Sequence, residues 1–251
     1  MNKTRMTPRG AAPRPFVLMN MAMTADGKIA TANRVVSSFG SRRDQEHLYE
    51  LRATADAVMA GARTADLNAV HLGPGALKYR RLRQRRGLAE FNLRIIVSRT
   101  GSVNPAARIF QHTFSPILVL TTQRAPARRW ARLRALGAEV RVCGAKEINF
   151  PAALRWLRRQ WGIKRLLCEG GGELADALFR AGLVDELHLT VCPRIFGGRA
   201  APTIADGRGA GALARAARLE LHSARRAGDE MFFVYRAPKR RATPRLGRGK
   251  P

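Results

Sequence analysis

Glu169 is followed by Gly170, Gly171 and Gly172, and these four residues separate a strand-like run, Arg165 to Cys168, from a helical pattern carrying Leu174, Leu178 and Phe179. Glycine permits positive φ and leaves no Cβ, so a chain can turn sharply there and a ligand can approach the main chain closely. The helix that follows opens on unpaired backbone N–H groups and a partial positive charge, which suits a phosphate. The same glycines equally suit a tight strand-to-helix turn with no ligand. Their spacing is neither the Gly-x-Gly-x-x-Gly of a dinucleotide fingerprint nor a Walker A loop ending in Lys-Ser/Thr. On these residues alone both readings stand.

Other chemistry-bearing side chains are scattered. His47 falls on the outer side of a predicted helix, His188 and His222 alternate in strands, and His71 and His112 fall in loops, a pattern without metal-ligand spacing. No metal is expected. Cys143, Cys168 and Cys192 are isolated and odd in number, so neither a disulfide framework nor a structural zinc site is indicated. Met19, Met21 and Met23 alternate along one apolar run and read as core packing; Trp156 and Trp161 on one helix read as packing or as part of a subunit contact.

The elements that must position these groups follow from periodicity. FVLMNMAM, Phe16 to Met23, is an apolar run of strand length suited to a sheet covered on both faces, and Asp26-Gly27 is a turn signal after it. A helix is predicted from Ser41 to Thr54 with Ser41 or Ser38 as N-cap, then a buried strand from Asp56 to Ala60. Residues Leu67 to Leu88, arginine-rich around Gly73-Pro74-Gly75, read as a long surface loop. Strands Leu93 to Ser98 and Pro116 to Thr122, a helix from Pro126 to Leu136 and a strand from Ala138 to Cys143 come next. A helix opens at Pro151 and stops at Gly162, ahead of the Arg165 strand, the glycine joint and the strand Asp185 to Pro193. Two final strands meet in a hairpin at Gly228-Asp229. Alternating strands and helices make this an α/β layered domain with a mostly parallel sheet and an antiparallel C-terminal hairpin.

The chain has 251 residues and a net charge of +28, distributed unevenly. Lys3, Arg5, Arg9 and Arg14 precede the first strand without an acid, and Arg236, Lys239, Arg240, Arg241, Arg245, Arg248 and Lys250 close the chain in the same way. Residues 1–15 and 237–251 are therefore expected to be disordered basic tails flanking one domain, 16–236. Such charge attracts polyanions nonspecifically, but no RNA-recognition, zinc-finger or helix-turn-helix pattern accompanies it, so nucleic acid is not the expected partner. With no apolar leader and no run of membrane-spanning length, a cytoplasmic location and no membrane contact are expected.

MAMTADGKIA, LRATADAVMAGART and CEGGGELADALFRAGLVDELHLTVCPRIFGG resemble, in order and approximate spacing, the reductase domain of riboflavin biosynthesis across residues 16–236. That resemblance implies a three-layer αβα, dihydrofolate-reductase-like fold, a homodimer, and NADPH-dependent reduction of a ribosylamino-pyrimidine 5′-phosphate to its ribitylamino product. It implies that Glu169 contacts substrate and that Gly170, Gly171, Gly172, Glu173 and Leu174 hold cofactor phosphate. Arg52 then matches a substrate-binding arginine suited to phosphate, Thr64 and Ser98 match cofactor contacts, and Asp26 lies on the nicotinamide side as a catalytic candidate. The chain departs from the family after Thr64, where Asp66 or Asn68 replaces a pair of aspartates. It departs again before the first helix, where Ser37 or Ser38 stands without the family's tryptophan. A further phosphate-binding arginine is replaced by Lys78, Arg80 or Arg81. Two other functions remain: a reductase of the same fold acting on a different phosphorylated or heterocyclic substrate, and a polyanion-binding protein on a degenerate reductase scaffold.

Overall fold

The computed structural model describes residues 13–34, 39–67 and 70–238. Nine strands form one sheet in the order β5-β4-β3-β2-β6-β1-β7-β9-β8. β1 (Phe16–Thr24) runs through its centre, parallel to β6 (Arg165–Cys168) on one side and β7 (Glu186–Cys192) on the other. From β6 outward, β2 (Ala57–Gly61), β3 (Leu93–Val97), β4 (Ile117–Thr121) and β5 (Ala138–Val142) are all parallel. β8 (Glu220–Ala227) and β9 (Glu230–Arg236) form the antiparallel hairpin that closes the other edge. The expectation of a mostly parallel sheet with such a hairpin is met.

Two apolar layers follow from the two-residue period of the strands. Val17, Met19 and Met21 of β1 face one side, with Met59, Ile95, Leu118 and Leu166, and pack against Leu154 and Leu157 of α5 (Phe150–Gln160) and Leu174 and Leu178 of α6 (Gly172–Arg180). Leu18 faces the other side with Val58, Ile96, Val119 and Leu167, covered by Leu51 of α1 (Arg42–Arg52) and Leu133 of α4 (Ala127–Ala135). The sheet is thus clad on both faces, which explains why its central strands are continuous apolar runs. Ser41 caps α1 by accepting from the amides of Arg43 and Asp44, and Asn149 caps α5 by accepting from Ala152.

Two expectations are corrected. The stretch read as a long loop, Leu67 to Leu88, contains α3 (Leu77–Arg85), and the short α2 (Ala62–Ala65) precedes it. α3 turns Tyr79 and Arg83, an i, i+4 pair, inward; Arg83 is only 1% exposed and donates to the carbonyls of Arg52, Ala55 and Ala89. An arginine in a core-facing position breaks the apolar period by which a helix is recognised. His47 is not on an outer surface: its side chain is 16% exposed and its Nε2 lies 3.0 Å from Nδ1 of His188 on β7. No helix among the described residues is long and apolar enough to cross a membrane.

Candidate active site

β6 returns between β2 and β1, so the carboxyl ends of β3, β2 and β6 lie side by side. In parallel α/β sheets this is the edge at which ligands collect. The amide of Gly61, at the end of β2, donates to the carbonyl of Gly170 at 3.0 Å and ties the glycine joint to its neighbour. Gly170 and Gly171 both have positive φ, 92° and 55°. A Cβ on Gly170 would lie 2.8 Å from Met21 Sδ, and one on Gly172 would lie 2.6 Å from Cβ of Asp206 and 2.7 Å from the carbonyl oxygen of Thr203. The three glycines therefore have different reasons: backbone conformation at Gly171, close packing at Gly172, and both at Gly170.

Gly171 occupies the N-cap of α6 without any side-chain cap, so the first amides of that helix face outward unclaimed by a capping oxygen. They open on a cavity of about 790 Å³ lined by Gly171, Gly172, Glu173, Leu174, Thr64 and Ser98 from the sequence-derived set. That volume is within the roughly 300–1,000 Å³ of small-molecule sites. Ser98 is buried, and its hydroxyl donates to the carbonyl of Ser102 at 3.2 Å. Leu174 belongs chiefly to the core, and Glu173 is an exposed partner of Arg63 at 3.5 Å.

Sequence reasoning did not single out the cationic rim. Arg63, Arg99 and Arg208 line the cavity; Arg99 and Arg208 reach Glu147 at 3.0 and 3.7 Å. All these side chains are about half or more exposed, so the pairings contribute little and yield readily to an anionic ligand. Arg208 is set by a buried carboxylate: Asp176 on α6 accepts from the amides of Arg208 and Gly209 and from Arg180. A helical pattern flags Asp176 as an unexpected acid on the core side of α6, and only the fold reveals what it anchors.

Glu169 and Arg52 come together at the edge of this region, outside the cavity wall. Arg52 Nε donates to Oε1 of Glu169 and Nη2 to Oε2, each at 2.6 Å, and Nη1 donates to the carbonyl of Gly73 at 2.7 Å. The two side chains are 6% and 8% exposed. Burial works against the Arg52 charge, but the adjacent Glu169 outweighs it and holds the guanidinium above its ordinary pKa. The fork expected to receive a phosphate is thus occupied by a carboxylate. Asp26 is elsewhere: it accepts from Thr24 Oγ1 at 2.5 Å and from the amides of Phe196 and Gly197 at 3.2 and 2.8 Å, which pins the turn after β1 to the loop after β7. Those bonds, Thr24 foremost, hold its carboxyl below the usual range. Ser37 and Asn68 lie outside the described residues. Of the departures from the family, Asp66 lines the cavity and accepts from the amide of Asn104. Lys78 and Arg80 lie on α3 against aromatic rings, and Arg81 is exposed.

Comparison with known proteins gives the chain a lineage. The chain is 35% identical over 222 residues to the 2,5-diamino-6-ribosylamino-4(3H)-pyrimidinone 5′-phosphate reductase of Methanothermobacter thermautotrophicus, covering 88% of this chain and 98% of that protein. Among solved structures, Acinetobacter baumannii RibD matches with a TM-score of 0.72 at 21% identity over 90% of this chain, which spans 58% of the RibD chain. A pyrimidine reductase-like protein from Corynebacterium diphtheriae matches with a TM-score of 0.70 at 24% identity, covering 90% of this chain and 92% of that one. Residues 15–233 match the model of the RibD C-terminal domain, and the chain belongs to that family.

Proposed function

We propose that this chain is an NADPH-dependent reductase of a ribosylamino-pyrimidine 5′-phosphate, specifically the 2,5-diamino-6-ribosylamino-4(3H)-pyrimidinone ester named for its 35% identical relative. The observation that carries the reading is the uncapped start of α6, opening on a cavity ringed by arginines next to the buried Glu169. The residues present fit a dinucleotide. Positive-φ glycine brings main chain within reach of a phosphate, and the amides of Gly172, Glu173 and Leu174 supply donors in a positive field. Arg63, Arg99 and Arg208 provide the charge that favours the extra 2′-phosphate of NADPH over NADH.

The nicotinamide, when bound, supplies the hydride; the chain's task is alignment and charge. Thr64 and Ser98 orient the dinucleotide along the ends of β2 and β3. Arg52 takes one lone pair on each oxygen of Glu169 and keeps the carboxylate charged and fixed, leaving the remaining lone pairs to accept from the sugar or base of the substrate. Arg52 thereby acts through Glu169. Self-association is assigned to the hairpin edge, where every residue of β8 from Glu220 to Arg226 is exposed and Leu221 is 59% exposed. Following NADPH absorbance with the diamino-pyrimidinone ester tests the function directly; stoichiometric oxidation supports it, and no oxidation with saturable NADPH binding points to another substrate.

A further inference from the structure

The register of the central strands sets three polar side chains in a row. Met19 pairs with Cys168 on β6 and with Leu187 on β7, so the next residue, Asn20, stands level with Glu169 on one side and His188 on the other. In parallel strands, residues at one level share a face. That face is the one covered by α1, because Leu18, two residues earlier, packs with Leu51. α1 satisfies both ends of the row: Arg52 holds Glu169, and His47 meets His188, whose other ring nitrogen lies 3.0 Å from Glu186.

The middle of the row is unsatisfied. Asn20 is 9% exposed, and its Oδ1 is buried without a hydrogen-bond partner among the described residues. Asparagine is a poor strand residue, and a buried amide oxygen with no donor costs stability that an apolar side chain would not. Its neighbours on the strand, Leu18, Met19 and Met21, are apolar, so packing alone does not call for an amide here. A buried acceptor without a donor, level with Glu169, is intelligible if a ligand supplies the missing donor.

We propose that Asn20 is a substrate-binding residue whose side-chain oxygen receives a hydrogen bond from an N–H or O–H of the ribosylamino-pyrimidine held against Glu169. The proposal rests on the reductase reading given above. A neutral acceptor is the fitting choice beside Glu169, since a second carboxylate would be repelled by the first. The row then reads substrate through two adjacent acceptors, one charged and fixed by Arg52, one neutral and waiting.

The test uses the full chain with Asn20→Leu, which keeps the branched heavy-atom shape without the amide, and Asn20→Thr, which keeps an acceptor oxygen on a strand-favouring residue. Without ligand, N20L should melt at or above the wild-type temperature, because no unsatisfied oxygen is left. Its NADPH affinity, read by fluorescence, should be unchanged, while kcat/KM for the diamino-pyrimidinone ester falls about tenfold or more, the loss of one hydrogen bond in a closed site. N20T should fall between. N20L with wild-type kcat/KM overturns the proposal and leaves an ordered water as the amide's partner. A lower melting temperature with parallel losses in NADPH binding and turnover also overturns it, in favour of an internal structural role. A wild-type chain that binds NADPH but never turns over this ester is the distinct failure of the reductase reading and takes the Asn20 assignment with it.

Discussion

Replacing Arg52 by methionine would keep most of the buried aliphatic stem at the end of α1 and delete the only cation bonded to Glu169 among the described residues. The carboxylate, 8% exposed, would then stay buried without compensation. Breaking one side of such a pair costs about 3–5 kcal/mol, whereas exposed pairs are worth ~0–1 kcal/mol. At about 2–4 °C per kcal/mol for a chain of this size, the melting temperature should fall by roughly 6–20 °C. The Gly73 carbonyl loses its donor in the same variant, which places the expected drop in the upper part of that range. A double-mutant cycle separates the contributions: adding Glu169→Gln to Arg52→Met removes the stranded charge and should recover about 2 kcal/mol or more of the loss. Urea melts of wild type, both single variants and the double variant give the coupling energy. An Arg52→Met melt within about 0.5 kcal/mol of wild type would refute the reasoning, because it is what a surface arginine gives.

Further outcomes follow from the same geometry. Gly172→Ala forces a Cβ to within 2.6 Å of Asp206 and 2.7 Å of the Thr203 carbonyl, so it should cost about 1–3 kcal/mol and weaken NADPH binding, as measured by melting and fluorescence titration. Stability should fall as pH drops from about 6.5 towards about 4: burial, with Arg52 and His112 adding, pushes His71 down to about 4, and burial pushes His47 to about 4, so the unfolded chain binds protons there that the native chain refuses. His71 Nδ1 accepts the amide of Gly73, so His71→Asn, which keeps an acceptor at that place without titrating, should flatten the acid limb of a stability–pH curve. Light scattering should report a dimer for the wild type, and a charge introduced at Leu221 should shift it to monomer if the hairpin edge is the contact.

Much of the fold is legible in the sequence because its central strands are continuous apolar runs and its helices carry ordinary stops, such as Asn149, Pro151 and Gly162 around α5. α3 was hidden because its inward face is built from Arg83 and Tyr79 rather than leucines. The glycine joint was legible as a local device, but which glycine serves conformation and which serves packing depends on Met21, Thr203 and Asp206, distant in sequence. Sequence reasoning set Arg52 and Glu169 down as separate substrate contacts; their pairing across 117 positions is a tertiary fact. Asp26 read as catalytic through its neighbourhood, yet its carboxylate is engaged by Thr24 and the amides of Phe196 and Gly197. Asn20 was invisible because one polar residue in an apolar strand carries no signal until its neighbours' hydrogen bonds are assigned.

Hydrogen–deuterium exchange with and without NADPH addresses the cofactor cradle most directly. The account predicts slowed exchange in peptides spanning Gly170 to Leu174 and Thr64, with NADH giving the smaller effect. Protection confined to other segments, or none at saturating NADPH, would contradict it.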